Sequence, residues 1–168
     1  MTRITLSPAT ETDLAAIGQL AHDIWWPTYG HFIPHGQISL MLEQSYTVDA
    51  LKHQTATGGR FILARQADVA VGFAEYRTKV KDEAVMRIEK LYVSPQNQGQ
   101  GVGRQLIEFV SEQARQSGKT HLELNVNRRN VPAIGFYRRN GFIIVAEVDT
   151  PYHGYVLDDY VMQKRLSS

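Results

Sequence analysis

The chain contains no cysteine. That removes a disulfide framework, thiolate zinc sites, iron–sulfur clusters and cysteine nucleophiles from consideration. It holds no apolar run near the ~18 residues that a membrane span needs. The opening stretch, Met1 to Pro8, lacks the apolar core of a signal peptide, so the expected location is the cytoplasm, away from membranes. Charge of one sign is not in excess either: 18 lysines and arginines face 17 aspartates and glutamates, a formal net charge of +1. So small a surplus makes no global basic field for nucleic acid. The six histidines show no metal spacing. His31 and His35 stand four apart, but Pro34 lies between them and no third ligand is evident, so no metal is expected. There is no internal repeat, linker or low-complexity stretch. What is present is 168 residues, 43% hydrophobic and 21% charged. That describes one ordinary globular domain over residues 1–168, able to bury roughly two-thirds of its unfolded surface without staples.

Periodicity sketches the elements. Arg3 to Leu6 alternates as a short strand does. Thr10 then opens a helix as its N-cap, with Asp13 three residues on, and Leu14, Ile17, Leu20, Ala21 and Ile24 recur at helical spacing. Pro27 and Gly30 are expected to break that helix, which leaves Trp25 to His35 as a shaped, aromatic loop. Helical stretches follow from about Gln37 to Tyr46 and after Thr47, ended by Gly58-Gly59. Phe61–Ala64 and Val69–Arg77 read as a hairpin around Gln66-Ala67-Asp68, and Glu83–Val93 as a third strand stopped by Ser94-Pro95. A long amphipathic helix from about Gln100 to Ser117 ends at Gly118. His121–Val126 is a strand, and Val131–Arg139 a short helix with Asn130 as N-cap and Pro132 in its first turn. Phe142–Val148 and Tyr155–Lys164 close the sheet. Helices and strands alternate around one mixed sheet, so the expected class is α/β in the loose sense.

The segment richest in chemistry is Gln98-Gly99-Gln100-Gly101-Val102-Gly103-Arg104, set between a strand and a helix. Three glycines at alternate positions leave the backbone bare, so that successive N–H groups can meet an anion at the positive end of the helix. This reads as a phosphate or pyrophosphate cradle; the alternative is a flexible turn. Two better-known phosphate loops do not fit. The dinucleotide fingerprint needs two residues between its second and third glycines, and the P-loop needs Gly-Lys-Ser/Thr. A second segment runs from Asn130 through Ala133, Gly135, Phe136 and Tyr137 to Gly141-Phe142. Asn130 can cap the helix and bond a ligand, and Tyr137, seven residues on, shares its face. Gly135 inside a helix costs about 1 kcal/mol against alanine, which the close approach of a ligand or strand would explain.

Together these segments resemble the GNAT superfamily of acetyl-CoA-dependent N-acetyltransferases. Gln98, Gly101 and Gly103 match the family's pyrophosphate loop. Leu91-Tyr92-Val93-Ser94-Pro95 is similar to the strand end before it, and Asn130, Ala133, Phe136-Tyr137 and Gly141-Phe142 match its second motif. The resemblance implies a V-shaped, splayed mixed sheet of about seven strands and about four helices, with coenzyme A in the opening of the V. It also implies residue roles. Leu91, Tyr92 and Val93 present backbone groups to the pantetheine arm and the thioester oxygen. Gln98 through Arg104, with Gly99, Gln100, Gly101, Val102 and Gly103 between, cradle the pyrophosphate. Asn130, Ala133, Phe136 and Tyr137 line the cofactor, and Tyr137 protonates the departing thiolate. The acceptor site falls to Trp25–His35 and Pro151–Tyr155, with Trp25, Tyr29 and Tyr152 as lining residues.

The chemistry makes one demand that can be counted. An alkylammonium has a pKa near 10.4, so presenting it neutral at pH 7 costs about 4.6 kcal/mol. Glu89 is the first carboxylate candidate for the proton and Glu75 the second, both also substrate-lining; a water chain is the alternative. Some relatives that acetylate protein N-termini carry a glutamate five residues before the asparagine of the second motif. Here Asn125 stands there. The early region and the tail Asp159-Tyr160-Val161-Met162-Gln163-Lys164 are diffusely similar to the bacterial spermidine/spermine N-acetyltransferase branch. A polyamine is therefore the expected acceptor, with Asp23 and Glu43 as further acids. The alternatives are another small amine, an antibiotic amine, a protein lysine, or an acyl-CoA-binding regulatory module without turnover. Ile143, Ile144 and Val145 in the late strands, with family habit, suggest a homodimer.

Overall fold

The computed structural model describes residues 3–167. Its elements run β1 (Ile4–Pro8), α1 (Leu14–Tyr29), α2 (His35–Ser45), α3 (Val48–Ala56), β2 (Arg60–Gln66), β3 (Val69–Lys79), β4 (Asp82–Val93), α4 (Val102–Gln116), β5 (His121–Asn127), α5 (Val131–Arg139), β6 (Ile143–Tyr152) and β7 (Tyr155–Arg165). The seven strands form one sheet in the order β1-β2-β3-β4-β5-β7-β6. β4 and β5 run parallel, whereas β1–β2, β2–β3, β5–β7 and β6–β7 are antiparallel. The mixed sheet is thus as expected. The five helices are those the periodicity sketches, the stretch after Thr47 among them, capped where the Thr47 hydroxyl accepts Ala50 N–H at 3.1 Å. No described helix is long and apolar enough to cross a membrane.

Two compact units divide the chain. One holds the residues up to Arg77 and Lys90–Phe109, the other Thr78–Glu89 and the chain from Val110 on. In the first unit α1 buries the stripe Leu14, Ile17, Leu20, Ala21, Ile24 and Trp25 against Ile38, Leu42, Tyr46, Leu51, Phe61, Leu63 and Phe73. A capping pair starts the 3-10 turn Glu11–Asp13 that leads into α1: Asp13 Oδ2 takes the Thr10 N–H at 2.8 Å. The shaped loop expected from Trp25 to His35 is shorter than the sequence suggests. α1 continues through Pro27 to Tyr29 and α2 begins at His35, which leaves only Gly30–Pro34 between them. A proline near a helix end forfeits one backbone hydrogen bond and bends the helix. Burial of the stripe up to Trp25 holds the helix on past it. The β2–β3 turn is where expected. Ala67 and Asp68 both take positive φ, 51° and 65°, the two-residue geometry that matches strand twist, and Gln66 pairs with Val69.

In the second unit β5 turns Leu122, Leu124 and Val126 into the core with Val110, Ala114, Phe142 and Met162. Its other face carries Glu123, buried and bonded by Lys79, Arg87 and Gln163 at 3.0, 2.6 and 2.8 Å. β6 lies at the sheet edge. Its ladder with β7 is irregular between Ile144 and Ala146, so Val145 is the unpaired residue of a bulge. Ile143 stays 65% exposed.

Candidate active site

The site residues are best taken unit by unit. In the first, β4 ends at Leu91-Tyr92-Val93, all half-buried. Ser94 N–H then donates to the Val71 carbonyl at 2.8 Å. Gly72 makes that junction possible: a Cβ there would stand 2.9 Å from the Tyr92 oxygen and 3.3 Å from Val102 Cγ1. A short 3-10 turn, Pro95–Asn97, follows. It is anchored by the buried Asn97, whose amide donates to Gln66 Oε1 at 3.1 Å. Gln98 Nε2 donates back to the Val93 carbonyl at 3.4 Å. Gly99 and Gly101 take φ of 80° and 81°, and a Cβ on either would meet nothing within 4 Å. Glycine is required there for its backbone angle, in open space, which is what a cradle for an incoming anion needs. Gly103 falls inside the first turn of α4. The first intrahelical bond runs from Gln105 N–H to the Gly101 carbonyl at 3.0 Å. The first N–H groups of a helix have no acceptor within it and carry the positive end of its dipole. Val102 is buried and pins the turn, whereas Gln100 and Arg104 are exposed.

The aromatic residues of this unit gather around Trp25. Its ring lies 4.7 Å from that of Tyr29, 5.7 Å from Tyr46 and 5.8 Å from Tyr92, and the Tyr29 and Tyr92 hydroxyls are 3.1 Å apart. Trp25 is buried in the core, and its neighbour Trp26 faces outward with its ring against His35. Burial pushes the Tyr46 phenol well up, helped by the nearby Tyr29 and Glu75. The Trp25 indole, whose buried N–H makes no hydrogen bond of good geometry, and Tyr92 work the other way. Glu75 is 1% exposed and committed, with Lys90 Nζ at 2.6 Å and Arg77 at 2.9 Å. Lys90 also donates to Gln54 Oε1 at 2.8 Å. Sequence reasoning named Glu75 but neither cation. Asp23 on α1 and Glu43 in the last turn of α2 are both exposed.

In the second unit Glu89 is exposed and lies 3.6 Å from Arg87. Arg87 also donates to Asn125 Oδ1 at 2.9 Å, and Asn125 Nδ2 reaches Asp159 at 3.4 Å. α5 begins as the sequence indicated, with Asn130 Oδ1 accepting Ala133 N–H at 3.4 Å. Tyr137 is buried, edge-on to Phe136 at 5.4 Å and Phe142 at 5.7 Å, and its carbonyl accepts Phe142 N–H at 3.0 Å. Ala133 and Phe136 are half-buried beside it. A Cβ on Gly135 would touch only the tip of Arg139, at 3.3 Å, so the packing of α5 does not itself demand a glycine. Tyr152 sits at the β6–β7 hairpin with its phenol pushed up by burial. Among the described residues no group of three or more His, Asp or Glu could hold a metal ion.

Residues 19–142 match the profile of the Acetyltransferase (GNAT) family, a stretch that includes the glycine turn and all of α5. The chain is 27% identical over 165 residues to an uncharacterized N-acetyltransferase from the pepI 3' region of Lactobacillus delbrueckii subsp. lactis, covering 95% of this chain and 92% of that one. It is 31% identical over 145 residues to the aminoglycoside N(6')-acetyltransferase type 1 of Stenotrophomonas maltophilia, covering 82% and 85%. Among solved structures it resembles the PaiA N-acetyltransferase from Thermoplasma acidophilum in complex with coenzyme A, with a TM-score of 0.82 at 21% identity over 97% and 99% of the two chains.

Proposed function

The chain belongs to the GNAT family of acetyltransferases and is an acyltransferase with acetyl-CoA as donor, and we propose that it acetylates a primary amine, a polyamine such as spermidine or spermine first among them. The observation that carries the donor half is the Gly99–Gly101 turn, open to solvent at the start of α4. In this reading Gln98 to Arg104 hold the pyrophosphate, and the end of β4 offers its N–H to the thioester oxygen as charge develops there. Asn130, Ala133 and Phe136 hold the pantetheine arm. Tyr137 gives its proton to sulfur as the carbon–sulfur bond breaks.

The polyamine half rests on acids and aromatics. Tyr29 and Tyr152 each offer aromatic surface that favours a cation, whereas Trp25, expected to line the acceptor, is buried in the core and only packs against Tyr29. Asp23, Glu43 and Glu89 supply negative charge for a second ammonium. Glu75, neutralised by Lys90 and Arg77, serves by shaping the end of β4. A second reading, acetylation of an amino-sugar amine, is favoured by the aminoglycoside acetyltransferase relative. Acetyl transfer measured across spermidine, a monoamine, an aminoglycoside and a lysine peptide separates these. Spermidine is expected to show the highest kcat/KM, and equal values for spermidine and the monoamine would end the polyamine reading. The whole chain acts as one domain and self-associates through the exposed edge of β6. Sedimentation showing only a 19.0 kDa species at micromolar concentration would remove the dimer.

A further inference from the structure

The proton that must leave the attacking nitrogen needs a place to go, and only about one alkylamine in 2,500 is neutral at pH 7. In the second unit the structure shows which carboxylates are already committed. Glu123 is held by Arg87 and Lys79, Glu89 by Arg87, Asp149 by Arg128 and Asp158 by Arg129. A carboxylate bound to a cation is a poor base, because the cation favours its ionised form and occupies its lone pairs. Asp159 differs. Its carboxylate takes the Asn125 amide at 3.4 Å, and among the described residues no lysine or arginine forms an ion pair with it.

We infer that Asp159 is the general base of the acetyl transfer, receiving the proton of an acceptor ammonium that docks on the polar face of β5 and β7. The face is defined by register. Glu123 stands opposite Gln163, Asn125 opposite Val161 and Asn127 opposite Asp159, while Leu122, Leu124 and Val126 fill the core on the other side. Asn125 holds Asp159 from one side, and Arg87 in turn holds Asn125. The carboxyl is half-buried, shielded yet reachable. The groups that face it are Asp158 on its own strand and Arg87 on β4. Arg128, after β5, donates to the Asp159 backbone carbonyl at 3.4 Å. On β6 Val148 lies opposite, flanked by Glu147 and Asp149. Burial foremost, and then Asp158, push the Asp159 carboxyl up, against the Asn125 bond, Arg128 and Arg87, and the net direction is upward. That moves it toward the range in which a carboxylate accepts protons effectively.

The inference rests on the acetyltransferase reading and completes its balance. Two protons leave nitrogen overall. One passes from the ammonium to Asp159 and on to solvent, freeing the lone pair that attacks the thioester carbon. The other leaves the nitrogen for solvent as the amide forms, while the thiolate expelled by carbon–sulfur cleavage takes the Tyr137 proton and solvent returns one to Tyr137, so that amide, free thiol and one net proton result.

The test is the pH profile of kcat/KM for a monoamine acceptor in the parent and in Asp159→Asn, which keeps an oxygen for Asn125. The parent is expected to level off above the ionisation of Asp159. The variant is expected to fall about 100-fold at pH 7 and to recover about tenfold per pH unit toward the amine pKa, where the substrate arrives neutral. Asp158→Asn removes a charge that pushes Asp159 up, so it is expected to keep kcat/KM at pH 7 within threefold of the parent and to move the acid limb to lower pH. In Asp159→Asn a pH-independent loss, or a loss under threefold, overturns the inference. If the variant does not fold, carboxyl NMR of Asp159 in the parent decides: its titration must coincide with the acid limb of kcat/KM, and a mismatch overturns the inference as well. Calorimetry with acetyl-CoA separates the two levels. Parent protein that binds no acetyl-CoA, or transfers acetyl to no amine, removes the acetyltransferase reading itself, whereas intact transfer with an unaltered Asp159→Asn profile removes only the base.

Discussion

Replacing Glu123 with glutamine tests how the second unit is held together. The carboxylate is buried between donors on both sides. Arg87 approaches Oε2 at 2.6 Å, and Lys79 and Gln163 approach Oε1 at 3.0 and 2.8 Å. Glutamine keeps the shape but turns one oxygen into an NH2 group. Whichever way the amide lies, that group meets another donor, and the Arg87 charge, whose side chain is 16% exposed, loses its closest counter-ion. Breaking one side of a buried pair typically costs 3–5 kcal/mol. Lys79 is 37% exposed and contributes little, and Arg87 keeps Asn125 and Glu89, so about 3 kcal/mol is the expected loss. For a domain of this size that is a fall in Tm of roughly 6–12 °C. Burial by itself would raise the Glu123 carboxyl, but the bonds from Gln163, Arg87 and Lys79 outweigh it and hold the pKa below the usual 4.5. A carboxylate with a lowered folded pKa stabilises above its unfolded value and loses that contribution as pH falls through the folded value. The Tm difference between parent and Glu123→Gln, read by differential scanning calorimetry, should therefore be full at pH 7 and narrow as pH falls below the unfolded carboxyl's value and through the lowered folded one. A gap that persists unchanged at pH 3, or one under 1 °C at pH 7, would refute the reasoning.

Gly101→Val forces a β-branched side chain onto a φ of 81°, a strain of order 1–3 kcal/mol. Acetyl-CoA affinity by calorimetry should drop at least tenfold, and unchanged affinity in folded protein would free the glycine turn of its assigned role. Tyr137→Phe keeps the packing on Phe136 and Phe142, so kcat at saturating acetyl-CoA should fall about 10²–10⁴ with KM little changed. A kcat within twofold of the parent leaves Tyr137 as a packing residue. Phe73→Ala opens a hole in the core of the first unit and should cost about 3–5 kcal/mol, seen as a lower urea midpoint with unchanged slope. A cost under 1 kcal/mol would mean that this core is not packed as described.

Local chemistry is what the sequence made legible. The Thr47 and Asn130 caps, the turn at Gln66-Ala67-Asp68 and the glycines opening α4 are each readable in local sequence, and each appears in the structure at that place. Pro27 misled because the rule against proline in helices is local, whereas the burial of Ile24 and Trp25 that keeps α1 going is tertiary. The electrostatic character of the site was illegible for the same reason. Glu75 and Glu89 both look like exposed charges on alternating strands. Glu75 is instead buried, because Lys90, fifteen positions on, and Arg77 reach it. Asp159 drew notice only as part of the tail. The bond that distinguishes it comes from Asn125, thirty-four positions earlier, across a strand pairing that no spacing announces.

The central claim is that this chain transfers acetyl from acetyl-CoA to a primary amine. The direct measurement is thiol release from acetyl-CoA by the purified protein with and without an added amine, alongside mass analysis of the amine. The account predicts thiol release that depends on the amine and matches the acetylated product mole for mole. Tight acetyl-CoA binding with no amine-dependent thiol release for polyamines, monoamines, amino sugars or lysine peptides would contradict it and leave a binding module in its place.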